Sequence, residues 1–223
     1  MTWDFIADNI QKLDIVSNEK NELVTVKEIP NELQCVGVGT DAVVVRSLDA
    51  PNYAFKVYSK DKLEKLEVEK LVYEKLGHSD FFPVYYGNGS NFLVISFEKG
   101  LTLYDCLLKG IHIPKQAIED VDHAIAYAIS RGLNPRDIHL KNILLYNGRA
   151  KLLDVSEYMK QGNDYRWHYL KQGYQENYHL IDGKAIPFWI VETVRKWYNQ
   201  TQPDTFHFQE FVRKLTKLFR VGA

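Results

Sequence analysis

Leu133-Asn134-Pro135-Arg136-Asp137-Ile138-His139-Leu140-Lys141-Asn142-Ile143-Leu144-Leu145 and, after a turn at Asn147-Gly148, Lys151-Leu152-Leu153-Asp154-Val155-Ser156 form the stretch that decides the fold. The first part reads as a short polar loop that follows a helix and runs into an apolar strand. The second reads as the next strand, ending at an acidic residue. Asp137 and Asn142 share the loop and Asp154 closes the hairpin, so three oxygen-bearing side chains can converge. Phosphoryl transfer asks a protein for a carboxylate near the attacking hydroxyl and for oxygen ligands to metal ions that bridge the phosphates. Taken singly, each residue has a plainer reading, Asp137 and Asn142 as turn residues and Asp154 as a helix cap.

Upstream, residues 22–58 read as short strands of an antiparallel sheet: Leu23-Val24-Thr25-Val26, Cys35-Val36, Val43-Val44-Val45 and Tyr53-Ala54-Phe55-Lys56-Val57. Gly37-Val38-Gly39-Thr40-Asp41-Ala42-Val43-Val44 lies among them, and its glycines let backbone amides approach a phosphate closely. A glycine-rich hairpin is the competing reading. Lys56, flanked by apolar residues, needs a partner for its charge unless it sits on a solvated edge. In residues 61–76, Leu63, Leu66, Val72 and Leu76 recur at helical spacing, with Asp61 placed to cap the start. That helix offers Glu64, Glu67, Glu69 and Glu74 to Lys56. The register set by Leu76-Gly77-His78 selects Glu69, two turns before Leu76.

Two more strands are expected at Val84-Tyr85-Tyr86 and Phe92-Leu93-Val94-Ile95, and a helix over 101–108. Pro114 suits the first turn of a helix reaching about residue 131, with Ile118, Val121, Ile125 and Ala128 on one face. Further helices are predicted over 187–199 and 205–220. Trp3, Phe5, Ile6 and Ile10, at near-helical spacing, are placed to dock on the domain or on another protein.

Composition narrows the classes. In 223 residues, 45% hydrophobic and 13% aromatic content is enough for a core in one domain or one two-lobed domain. The 28 basic and 29 acidic residues give a net charge of -1, so no global field points to nucleic acid, a membrane surface or an acidic substrate. Two cysteines, Cys35 and Cys106, in separate hydrophobic contexts argue for buried thiols in a reducing compartment rather than a disulfide framework or a zinc site. No apolar run approaches the roughly 18 residues of a membrane span, and Met1-Thr2-Trp3-Asp4-Phe5 leads into no apolar signal core. The expected location is the cytoplasm.

The ordered set of glycine-rich loop, strand lysine, helix glutamate, catalytic loop and metal-binding aspartate resembles the protein-kinase family over about residues 35–160. The resemblance implies an α+β, two-lobed protein-kinase-like fold. Residues 1–98 would form an N-lobe with a small antiparallel sheet and one main helix, and residues 99–223 a reduced, mostly helical C-lobe. It also implies roles. Gly37, Val38, Gly39, Thr40, Ala42 and Val44 would cover the phosphates of ATP. Lys56, paired with Glu69, would bind them, Asn142 and Asp154 would hold Mg2+, and Asp137 would accept the substrate proton. Ile95-Ser96-Phe97-Glu98 resembles the hinge, so the main chain of Ser96 and Glu98 would meet the adenine, with Ile95 behind it.

Several residues depart from the family pattern. Ala42 replaces a third glycine, Pro135 replaces the histidine before Arg136-Asp137, and Asp154-Val155-Ser156 replaces Asp-Phe-Gly. His139 stands where serine/threonine kinases carry lysine and where aminoglycoside and choline kinases are more similar. It could assist the transferred phosphate or bind metal, or simply be a hydrogen-bonded loop residue. No Ala-Pro-Glu match follows, and the chain beyond Asp154 is too short for a full C-lobe. It resembles compact atypical kinases of the RIO type and, above all, short serine/threonine-kinase-like proteins of bacilli. The aromatics of residues 165–178, with Phe188, Trp189, Trp197 and Tyr198 of the following helix, read as packing residues, while residues 157–180, with no clear period, could also order only on binding a substrate or partner. Three functions stay open: a serine/threonine protein kinase, a small-molecule kinase, and a pseudokinase or nucleotide-dependent interaction module. The acceptor is a protein or small-molecule hydroxyl, and a protein partner or activator fits the third reading.

Overall fold

A computed structural model describes residues 3–18 and 22–200, with side chains described as far as residue 196. The helix predicted over 205–220 and the side chains of Trp197 and Tyr198 lie outside the described residues. The architecture is α+β. Its first half is α1 (Asp4–Gln11), β1 (Ile15–Val16), β2 (Thr25–Val26), β3 (Leu33–Val38), β4 (Ala42–Ser47), β5 (Tyr53–Tyr58), α2 (Leu63–Leu76), β6 (Tyr85–Asn88) and β7 (Phe92–Ser96). The second is β8 (Leu101–Thr102), α3 (Leu103–Lys109), α4 (Lys115–Ser130), β9 (Ile143–Tyr146), β10 (Arg149–Leu152), α5 (Arg166–Asn177) and α6 (Phe188–Gln200).

Five strands form one antiparallel sheet in the order β3-β4-β5-β7-β6. Its central strands are apolar on both faces because both faces are covered, which is why Val43-Val44-Val45 shows no alternation. Val43, Val45, Phe55, Val57, Phe92 and Val94 pack outward against Trp3, which precedes α1, against Ile6 and Ile10 of α1 and against Val24. The N-terminal segment therefore docks at home. Gly87 makes room for it: φ is +148°, and a Cβ there would stand 3.1 Å from the Trp3 ring. On the opposite face Ala42, Ala54, Tyr58, Leu93 and Ile95 pack with Leu66, Val72 and Leu76 of α2 and with the second half.

A three-stranded sheet, order β10-β9-β8, carries the loop that decided the fold. Asp120, buried on α4, ties this hairpin down by accepting from Arg149 Nε at 2.8 Å, Arg149 Nη2 at 2.9 Å and the Ala150 N–H at 2.9 Å. Burial alone would lift its carboxyl, but those donors hold it below the usual range.

Two local expectations are corrected and one open alternative is decided. Asp61 does not cap α2: Lys62 holds the N-cap position after a 3-10 turn over Lys60–Lys62, and Asp61 accepts from Ser17 instead. Cys35 is exposed, because β3 is an edge strand, while Cys106 is buried. Residues 157–180 are not left without structure: α5 occupies most of them and anchors on α4, with Trp167 Nε1 donating to Asp122 at 2.8 Å and Lys171 at 2.6 Å. Among the described residues, no helix is long and apolar enough to cross a membrane.

Candidate active site

Strand register places the first components. Gly37 pairs with Val44, Val44 with Lys56 and Lys56 with Leu93, a row across three strand boundaries. The two-residue period of β5 puts Ala54, Lys56 and Tyr58 on the inner face. There Lys56 Nζ lies 2.6 and 2.9 Å from the carboxylate oxygens of Glu69 and 3.3 Å from Asp154 Oδ1. Of the four glutamates that α2 offered, Glu69 is the one fully buried at this point. The Tyr58 hydroxyl also donates to Glu69. Burial pushes Glu69 up, opposed by Lys56. Burial would depress Lys56, but Asp154 and Glu69 more than offset it and hold the ammonium charged.

Asp154 lies just past β10, accepting from the Ser156 N–H at 3.0 Å. Although burial raises it, Lys56 and Ser156 bring its carboxyl down to about 2, so it is ionised. Its side chain remains 38% exposed, leaving an oxygen face toward the cleft. Asn142 connects the two parts of the hairpin: its C=O accepts from Leu153 N–H at 2.9 Å, and its Nδ2 donates to Asp137 C=O at 3.2 Å. Val155, standing where an aromatic is usual, is fully buried.

Asp137 adopts φ +57°, a left-handed conformation that Asp tolerates better than most residues and that is over-represented at functional sites. Its N–H donates to Asp164 Oδ2 at 2.7 Å, and its carboxylate receives Arg166 Nη1. Burial pushes this carboxyl up to about 6, against the pull of Arg166. His139 is driven down to about 4 by burial and by Arg166, so it is neutral at pH 7. Lys141 points away, its Nζ 4.4 Å from the Tyr104 ring centre and 3.9 Å from Glu192 of α6.

The glycine-rich turn is a tight hairpin in which the Gly39 N–H donates to Ala42 C=O at 2.9 Å, and Gly39 C=O accepts from Val24 N–H at 2.9 Å. The Gly39 amide is thus engaged internally. Val38 is exposed and Thr40 and Val44 half-buried. At the segment after β7, the Phe97 N–H is turned outward to Asn52 C=O, the Ser96 hydroxyl donates to Glu98, and Glu98 pairs with Lys151 at 2.9 Å.

The donor set fits magnesium. Asp154 offers an ionised carboxylate and Asn142 an amide oxygen, hard ligands of the kind that Mg2+ takes alongside phosphates and water. Among the described residues no group of three or more His, Cys, Asp or Glu is placed to hold a metal ion by itself. The sequence pattern does not single out Tyr58, although the period of β5 places it beside Lys56. Asp164 and Arg166 were missed because nothing local links them to Asp137.

Comparison with known proteins identifies the class: the chain belongs to the protein-kinase-like superfamily. It is 33% identical over 205 residues to "Putative serine/threonine-protein kinase YrzF" of Bacillus subtilis strain 168, covering 90% of this chain and 94% of that protein. Among solved structures it is similar to "Crystal structure of Rad53 kinase domain and SCD2", at 21% identity and a TM-score of 0.44, over 56% of this chain and 50% of that one. It spans about half the length of that solved chain. No protein-family model matches.

Proposed function

We propose that the chain transfers the γ-phosphate of Mg-ATP to a serine or threonine hydroxyl of a protein, in a cleft between lobes of residues 1–98 and 99–223. The observation that carries this reading is the Lys56 ammonium held between Glu69 and Asp154, on the same cleft as Asp137 and Asn142. A fixed cation, an ionised oxygen ligand and a partly buried carboxylate are what the reaction requires. Lys56 would bind the nucleotide phosphates, and the main chain at Ser96 and Glu98 would meet the adenine. Asn142 and Asp154 would hold Mg2+, which would supply neutralisation of phosphate charge. The acceptor oxygen bonds to the γ-phosphorus as the bond to the β,γ-bridging oxygen breaks. The electron pair leaves with ADP, and the hydroxyl proton passes to Asp137. His139, neutral, serves as a loop residue that bears no charge.

A second reading, nucleotide binding without useful turnover, is favoured by one observation: Arg166 occupies the Asp137 carboxylate. A small-molecule kinase would be favoured by an enclosed pocket over Asp137. A cavity of about 610 Å3 lined by His112, Asp122, Lys171 and Tyr174 lies between α4 and α5, away from that position. Label transfer from γ-labelled Mg-ATP, offered a generic protein acceptor and a panel of small alcohols and aminoglycosides, separates the three. Label on protein that disappears with Asp137→Ala is the expected result. Label only on a small molecule, or nucleotide binding with no transfer, would replace it with one of the rivals.

A further inference from the structure

The transferred phosphoryl group carries charge on its equatorial oxygens, and a kinase cleft needs a cation on that group as well as on the phosphates left behind. Lys56 is committed to Glu69 and Asp154, deep under the sheet. The cations of the catalytic loop are engaged elsewhere: Arg136 Nη1 donates to the Gln161 C=O, and Lys141 is turned to Tyr104 and Glu192. The guanidinium on the Asp137 carboxylate belongs to Arg166, the first residue of α5.

That position is built rather than incidental. Tyr165, at φ +55°, reverses the chain immediately before the helix, with its N–H on Asn163 Oδ1 at 2.8 Å. Asp164 then uses one oxygen for the Arg166 N–H at 3.1 Å and the other for the Asp137 N–H at 2.7 Å. Asn134 adds two bonds of 2.7 Å to the carbonyls of Lys160 and Gly162. The segment leading into α5 is therefore laced to the catalytic loop, and Arg166 is about one-third exposed at the mouth.

We propose that Arg166 is a catalytic residue that grips the γ-phosphoryl group, resting on Asp137 in the nucleotide-free protein and passing to the phosphoryl oxygens when Mg-ATP enters. The exchange follows from charge. A carboxylate that must take a proton cannot keep a guanidinium, whereas an incoming phosphate offers the planar fork paired oxygens at matching spacing. Arg166 forms no covalent bond and accepts no proton. Its departure frees Asp137, so one movement arms the base and clamps the group to be transferred. The inference rests on the phosphotransfer reading above and extends it to a residue outside the family motifs.

The test compares the full chain with Arg166→Ala and Arg166→Lys, measuring affinity for Mg-ADP and for a non-hydrolysable Mg-ATP analogue by calorimetry. The wild type should prefer the triphosphate. Arg166→Ala should lose about 10- to 100-fold of that preference, the range of one or two charge-assisted hydrogen bonds, with Mg-ADP affinity unchanged. Arg166→Lys should restore part of it. Turnover, where an acceptor is found, should fall about 100-fold or more in Arg166→Ala. An unchanged preference for the triphosphate in Arg166→Ala, a wild type with none, or a rise in turnover would each overturn the assignment. A wild type that binds neither nucleotide would instead sink the phosphotransfer reading itself, and a general loss of folding in Arg166→Ala would show as a matching loss of Mg-ADP affinity.

Discussion

Replacing Glu69 by glutamine keeps its volume and removes its charge at the most constrained point of the cleft. Glu69 is fully buried, its two oxygens lie 2.6 and 2.9 Å from Lys56 Nζ, and it also accepts from Tyr58. In Glu69→Gln one oxygen becomes an NH2 facing two donors. Breaking a buried ion pair by removing one partner costs about 3–5 kcal/mol. Here Lys56 retains Asp154 at 3.3 Å, which lowers the expected loss to about 2–3 kcal/mol. For a chain of this size, each kcal/mol moves the midpoint by about 2–4 °C, so the melting temperature should fall by about 4–12 °C. The assay is thermal unfolding followed by circular dichroism at pH 7. Glu67→Gln on the same helix is the control: its partner Lys70 is 3.6 Å away at an exposed site, and the change should stay within about 0.5 kcal/mol. Equal midpoints for Glu69→Gln and Glu67→Gln would refute the argument that α2 is locked in register by a buried charge.

The anchor of the β9–β10 hairpin predicts a pH dependence. Asp120→Asn should cost about 1.5–3 kcal/mol at neutral pH, since four donors, from Arg149, Ala150 and Gln116, lose a charged acceptor. Because the folded pKa of Asp120 is depressed, its contribution is present above the ordinary carboxylate range and is lost as pH falls through the folded value. The gap between wild type and Asp120→Asn in urea unfolding should therefore close in acid. A gap that widened there would refute the assignment. Gly100 has φ +139°, and a Cβ there would stand 2.4 Å from Leu145 C=O, so Gly100→Ala should lower stability by about 1–3 kcal/mol in the same assay. Val24→Pro deletes the N–H that holds Gly39 C=O. Faster amide exchange confined to residues 37–41, with 53–58 unchanged, is the expected signature.

What the sequence made readable was local. Asp137, Asn142 and Asp154 flank one short hairpin, whose strand pairing brings its two ends together. Lys56 stood out because a charge inside an apolar strand must find a partner, and the helical register pointed to Glu69. Periodicity failed for α5 for a physical reason: none of its residues is fully buried, and it is held by Trp167, Lys171 and Tyr174 through polar bonds to Asp122 and Ile113. An apolar-stripe criterion has nothing to register there. Arg166 and Asp164 escaped for another reason, since they reach Asp137 across 27 to 29 residues by a chain reversal at Tyr165 that no propensity marks.

The charges gathered in the cleft explain why these parts belong together. Glu69, Asp154, Asp137 and Asp164 contribute four carboxylates, against two cations, Lys56 and Arg166. His139, neutral, does not redress the balance. A cleft with that excess repels a polyphosphate, and low local polarity strengthens the repulsion. One divalent ion on Asp154 and Asn142 would cancel it. Removing Asp154 would therefore act twice, taking away the metal's main ligand and a partner of Lys56. Moving Arg166 from Asp137 to a phosphoryl oxygen carries the remaining positive charge to the place where negative charge develops, and exposes the carboxylate only once the group to be transferred is in place.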